Sequence, residues 1–202
     1  MSVAHDHGGF GPYTMDDLHA REDEGRGLEL EDGWLINLSP SATHNWVAMQ
    51  LQDIIKEAAA EAGASVFVAG GGDWEISTQA GIRKPDVFVV PRCVARASIV
   101  ERNPIVIPGR EVLLSIEVIS PGSASERTDR VRKLKEYAVL GIPQYWLVEF
   151  SPQPKVQVFV LDHGVAAYRH GCTVGAGDVL KTEVEADRAL TVRFDPQVLT
   201  EF

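Results

Sequence analysis

The chain has 202 residues, of which 45% are hydrophobic and 24% charged, and a net charge of −10. That is enough for one domain with a real core, while the acidic balance excludes a surface broadly coated for nucleic acid, because a phosphate polymer is repelled at long range; a local basic site stays open. No apolar run approaches the roughly 20 residues of a membrane span, the N-terminus carries no basic apolar leader, and Cys93 and Cys172 fit no ligand spacing, so a cytoplasmic protein with reduced thiols and no membrane contact is expected.

Residues 1–12 are rich in glycine and histidine and read as a disordered tail. His5 and His7 lie in that tail, which makes them poor metal candidates. Residues 13–202 read as a single domain. Thr14 caps a short helix with Asp16 and Asp17 in its first turn, and Arg21 to Gly27 is a charged connection. Leu28 to Glu31 and Trp34 to Leu38 flank Asp32-Gly33, the strongest short hairpin signal. Ser39-Pro40-Ser41 ends the second strand. Val47, Leu51, Ile54, Ile55 and Ala58 then share one face of a helix from about His44 to Ala62, stopped by Gly63. Val66 to Val68 is a brief strand ended by Gly70-Gly71-Gly72; no helix start, lysine or hydroxyl follows that triplet at phosphate-loop spacing, so it reads as a turn. Trp74 to Ile76 and Lys84 to Val90 resume the sheet, the second with Pro85 at its start, where a missing N–H is tolerated. Ala95 to Arg110 is polar, contains proline and is expected to be a surface loop.

The chain is organised around residues 113–149. Leu113 to Ile119 is a branched apolar run that carries an acid, Glu117, in its second half. Pro121-Gly122 stops it, Val131, Leu134 and Ala138 then share a helical face from Glu126 onward, and Gly141 with Pro143 closes that helix. Tyr145 to Val148 is a second strand, so the whole is most simply a parallel strand–helix–strand unit with Glu117 near the carboxyl end of the first strand, where such units line a crevice. Arg127, Arg130, Arg132, Lys133 and Lys135 form the densest basic cluster, whose simplest account is a solvated helix face. Short strands at Val156–Leu161, Ala166–His170, Val179-Leu180 and Leu190–Phe194 and a helical turn at Pro196–Leu199 complete an α/β chain.

An acid inside a buried strand costs several kcal/mol unless it is paired or bound to a cation. Asp86 at the start of one apolar strand and Glu117 within another therefore call for partners. Two carboxylates meeting at one point repel, and a hard divalent cation such as Mg²⁺ resolves the conflict with one or two carboxylates plus water and phosphate oxygens. A nearby lysine, Lys133, can orient or deprotonate the attacking water or stabilise charge on the phosphate. Each residue also has a plainer account: a turn cap for Asp86, a strand-edge salt bridge for Glu117, and a helical ion pair with Asp129, four residues away, for Lys133.

Taken in order, Leu28-Glu29-Leu30-Glu31-Asp32-Gly33, Ser39-Pro40 with His44, Lys84-Pro85-Asp86, Ser115 to Pro121, Asp129 with Lys133 and Tyr137, and Gly141 to Val148 closely resemble the bacterial Uma-two-type restriction endonucleases of the PD-(D/E)xK superfamily. The resemblance implies a mixed β-sheet flanked by helices, a restriction-endonuclease-like core, and a Mg²⁺- or Mn²⁺-dependent phosphodiesterase site acting on DNA; a homodimer is expected because symmetric pairs are the commonest soluble assembly and duplex cutting needs two strand cleavages. Position by position, it makes Asp86 and Glu117 metal ligands and catalytic acids, Glu29 an acid that completes the metal site, and Lys133 the catalytic lysine. The superfamily places that lysine two residues after the second acid, where this chain has Ile119; Lys133 on the next helix is expected to reach the same point, supported by Asp129 and Tyr137. A non-catalytic binding or assembly module on the same scaffold is the alternative.

Overall fold

Asp32 and Gly33 both adopt positive φ, 48° and 80°, the backbone of a two-residue hairpin turn whose twist matches the strands it joins. The structure, a computed structural model, describes residues 11–21, 27–123 and 125–201; His5, His7 and most of the Arg21–Gly27 connection lie outside them. The chain runs through helix α1 (Met15–Ala20), strands β1 (Leu28–Glu31) and β2 (Trp34–Asn37), and helix α2 (Ala42–Ala62). Strands β3 (Val66–Gly70), β4 (Ile76–Ser77), β5 (Gly81–Arg83) and β6 (Val87–Pro91) follow, then helix α3 (Arg92–Ile99) and strand β7 (Ile107–Pro108). Strand β8 (Leu114–Ile119), helix α4 (Leu134–Leu140) and strand β9 (Gln144–Glu149) come next. The chain closes with β10 (Lys155–Asp162), β11 (Ala167–Gly175), β12 (Leu180–Val184), β13 (Leu190–Phe194) and a 3₁₀ turn over Pro196–Thr200.

The central sheet has six strands in the order β11-β10-β9-β8-β6-β3 and is mixed: β8 and β9 are parallel and every other neighbour is antiparallel. The strand–helix–strand unit is therefore present as the sequence implies. One face of this sheet packs Val87, Val89, Leu114, Ile116 and Val118 against Val47, Leu51 and Ile55 of α2 and against the β12-β13 hairpin. The other face gathers Phe88, Val90, Ile119, Tyr145 and Leu147 beneath Tyr137 and Ile142. Each fully buried aliphatic side chain in these layers contributes roughly 1.5–3 kcal/mol. A smaller five-stranded sheet, β2-β1-β5-β4-β7, is anchored by Leu18, Leu30, Ile82 and Val106.

Helix α2 starts two residues earlier than the apolar pattern suggests because the Ser41 hydroxyl accepts from the His44 N–H at 3.1 Å, and it ends where Gly63 turns left-handed. Of the expected surface loop over Ala95–Arg110, residues 100–105 form an exposed loop, while the flanks are the end of α3, strand β7 and a 3₁₀ turn, with Ala95 and Ser98 buried; the interspersed arginines mask a single inward face. Val131 does not share the inward face of Leu134 and Ala138. Residues 128–133 form a π-helical stretch, whose wider turn leaves Val131 47% exposed and swings Asp129 and Lys133 inward. Nothing in the apolar pattern announces strand β5. It depends on Gly81, whose φ is +139° and whose α-carbon lies so close to the Leu30 carbonyl oxygen that a Cβ would collide with it. Gly81→Ala is expected to lower stability by about 2–3 kcal/mol, read as a shift of the urea midpoint; an unchanged midpoint would contradict this account of the β1–β5 contact.

Candidate functional site

Antiparallel pairing sets Val87 of β6 opposite Ile116 of β8, the last pair of that ladder, so Asp86, the residue before β6, comes next to the Glu117–Val118 stretch. Just beyond the ladder the Val118 N–H donates to Asp86 Oδ2 at 2.7 Å. The same oxygen lies 3.1 Å from His44 Nε2, presented by the first turn of α2. Burial works against protonation of His44, but the Asp86 carboxylate outweighs it and holds the imidazole pKa above its ordinary value.

Glu117 points away from Ile116 and Val118, which pack under α2, toward the layer containing Tyr137. Its strand is central rather than an edge, so a strand-edge salt bridge does not describe it. Lys133 Nζ, on the π-helical stretch, sits 3.1 Å from Glu117 Oε1, 3.1 Å from Asp129 Oδ1 and 3.2 Å from Glu29 Oε1. The helical pair with Asp129 thus exists, but as one arm of a larger cluster. Tyr137 donates its hydroxyl to Glu117 Oε1 at 3.2 Å, and Tyr145 donates to the Asp129 carbonyl at 2.9 Å, fixing the helix on the sheet.

The charge balance of this cluster is acidic. Burial is the main force raising the Glu117 carboxyl well above the usual range; Lys133 opposes it, and Asp129, Asp86 and Glu29 add to it. Asp129 is raised in the same way, chiefly by burial. Burial alone would depress Lys133, yet Glu117, Glu29 and Asp129 together keep it firmly protonated. Glu29 behaves oppositely: burial would raise it, but Lys133 and Arg83 hold it below its ordinary value, and the Lys84 N–H donates to its Oε1 at 2.9 Å.

Behind Glu29 stands Arg83, a residue that none of the sequence motifs singles out. It is fully buried, with Nη1 3.2 Å from Glu29 and 2.6 Å from Glu31, and Nη2 2.7 Å from Glu136. A signal does exist, since a charged residue directly after Gly81-Ile82 and before Lys84-Pro85-Asp86 has little reason to be there unless buried acids await it. Of the basic cluster, Lys133 turns inward, Arg130 pairs with Glu126 and Glu149, and Arg132 pairs with Glu31 and Asp32. Arg127 and Lys135 are left on the surface.

Asp86, Glu117, Asp129, Lys133, Lys84 and His44 line one cleft of about 700 Å³, bounded by the start of α2 and the 120–125 turn. Glu29 is not among its lining residues; it meets the cleft wall through Lys133 and the Lys84 N–H. On Asp86 the engaged oxygen is Oδ2, and on Glu117 it is Oε1, so Oδ1 and Oε2 have no hydrogen-bond partner among the described residues. Two hard carboxylate oxygens on one cleft suit a Mg²⁺-type ion that keeps most of its waters. Among the described residues no group of three or more His, Cys, Asp or Glu side chains could by itself hold a metal ion.

The family described as "Putative restriction endonuclease" (Uma2) matches residues 15–193. No curated protein matches the sequence. Among solved structures, this chain is similar to one from Anabaena variabilis described as "a putative nuclease belonging to DUF820", with a TM-score of 0.58 and 16% sequence identity over 83% of this chain and 86% of that one. At that identity the likeness is one of fold. No helix among the described residues is long and apolar enough to cross a membrane.

Proposed function

The chain belongs to the Uma2 family, and from that premise we propose that it is a metal-dependent endonuclease hydrolysing phosphodiester bonds in DNA, working as a homodimer. The observation that carries the reading is that Asp86, just before β6, and Glu117, on neighbouring β8, line one cleft with an uncommitted oxygen each and with Lys133 beside them. In this reading Asp86 and Glu117 hold Mg²⁺ or Mn²⁺. When bound, the cation supplies Lewis-acid polarisation of the phosphate and a more acidic water.

The chain's own groups do the rest. His44 and the Val118 N–H fix Asp86 through one oxygen, leaving the other turned to the cleft. Tyr137 and Lys133 do the same for Glu117. Lys133 is the group that orients the attacking water or meets charge developing on the phosphate. Glu29, rather than acting directly on a cation, holds Lys133 at that post together with Asp129. A homodimer accounts for duplex cutting, which needs two strand cleavages, and symmetric pairs are the commonest soluble assembly.

Incubation of the purified protein with supercoiled plasmid tests the reading. Relaxed or linear products are expected with Mg²⁺ or Mn²⁺ and none with a chelator. The second reading, a binding or assembly module without catalysis, is favoured by the three carboxylates that already match the three N–H donors of Lys133; it predicts neither cleavage of any nucleic acid nor stabilisation by metal.

A further inference from the structure

Each ammonium proton of Lys133 already has a carboxylate to meet, so Lys133 can serve the water or the developing charge only by sharing those protons and is not free to anchor the bound substrate. Lys84 is in the opposite condition. Its side chain is only 6% exposed, yet it lines the same cleft. Among the described residues its ammonium has one ion-pair partner, Glu75 Oε1 at a long 3.4 Å. That Glu75 oxygen is buried without a hydrogen-bond partner, while its other oxygen is bound by His19 at 2.7 Å. An ammonium on a cleft wall that is held by one long ion pair can turn to an anionic ligand that matches it better.

The backbone places this ammonium beside the acids. Lys84 and Asp86 are two residues apart just before β6, and both line the cleft. The backbone of Lys84 is pinned by its N–H bond to buried Glu29, which fixes the root of the side chain. His44, the other cationic candidate on the cleft wall, is already committed to Asp86.

We propose that Lys84 is the phosphate-binding cation of the cleft: it leaves Glu75 and donates to a non-bridging oxygen of the nucleic-acid backbone next to the position governed by Asp86. This deepens the nuclease reading and rests on it. A lysine acts here as a point charge toward phosphate, and in an otherwise acidic cleft it is what makes a phosphodiester welcome.

The test measures binding of a labelled oligodeoxynucleotide by fluorescence anisotropy, in Ca²⁺ and over about 50 to 200 mM salt, with the full-length chain. Lys84→Met is expected to weaken binding about tenfold and to reduce the slope of log affinity against log salt by about 0.7–0.9, the loss of one phosphate contact. Lys84→Arg should restore most of both, and Mn²⁺ affinity should stay within about twofold of wild type in either variant. Glu75→Gln, which removes the competing carboxylate, is expected to tighten oligonucleotide binding; it decides the matter if Lys84→Met does not fold. Unchanged affinity and slope in Lys84→Met, or unchanged affinity in Glu75→Gln, overturns the assignment. If the wild type binds and cleaves while the Lys84 variants match it, only the role of Lys84 falls; a wild type that binds no oligonucleotide takes the nuclease reading down with it.

Discussion

The double variant Asp86→Ala, Glu117→Ala is expected to lose metal-dependent plasmid cleavage by about a thousandfold or more, since deleting even one preorganised electrostatic group in an active site commonly costs about 10²–10³-fold. The loss is expected without unfolding. Ionised Glu117 sits unfavourably in a buried, acid-rich cluster, and removing it leaves Lys133 still matched by Glu29 and Asp129. Asp86→Ala costs more, because the Val118 N–H and His44 lose their shared acceptor, a penalty of roughly 1–3 kcal/mol for the stranded donors. A thermal melt that stays cooperative while nicking disappears places the loss in the chemistry. Cleavage that survives in the double variant rejects these two acids as the catalytic pair.

Arg83→Met is expected to destabilise the fold by about 3–5 kcal/mol, the scale seen when one partner of a buried ion pair is removed. The side chain is 0% exposed, and its guanidinium holds Glu29, Glu31 and Glu136, which come from β1 and α4. Burial would depress its pKa, but the hydrogen bonds and charge of Glu136 and Glu29 raise it above even the ordinary arginine value, so the cation is permanent. Arg83→Lys is expected to recover only part of the loss, because a point charge cannot reproduce the fork that Nε and Nη2 make on Glu136. Urea unfolding monitored by tryptophan fluorescence checks both variants; a loss under about 1 kcal/mol for Arg83→Met would mean that the three acids find other partners or protonate at little cost.

Glu117 and Arg83 differ in how plainly the sequence marks them. Glu117 can be found because an acid between Ile116 and Val118 breaks a buried strand pattern, and strand alternation alone fixes which way it faces. Asp32-Gly33 announces its hairpin for an equally local reason, the positive φ that both turn residues must adopt. Lys133 is identifiable as a candidate, since Asp129, Lys133 and Tyr137 at i, i+4 and i+8 share a helical face, but the apolar pattern points Val131 inward, whereas residues 128–133 are π-helical with Val131 exposed and Asp129 and Lys133 buried. Such a widened turn has no local signature. It is selected by what it buries, namely Glu117 and Glu29 on strands far away in the chain.

The same holds for Glu29. The family resemblance points to it as an acid of the site, yet its partners, Arg83 and Lys133, lie 54 residues away and further, and these turn it to holding the lysine from behind the cleft wall. Arg83 itself is hidden because β5 is three residues long and depends on Gly81 approaching the Leu30 carbonyl. Helix α3 escapes notice for a different cause: Arg92, Arg96 and Arg102 make residues 92–110 look solvent-facing, while Ala95 and Ser98 supply too little apolar surface to reveal a face.

Calorimetric titration of the full-length chain with Mn²⁺ tests most directly whether two strands present one cation site. One ion per chain is expected, accompanied by a rise in melting temperature, with binding abolished in Glu117→Gln and in Asp86→Asn, each of which keeps the shape of the side chain and removes the charge. Absence of binding by the wild type, or binding that persists unchanged in both variants, would contradict it.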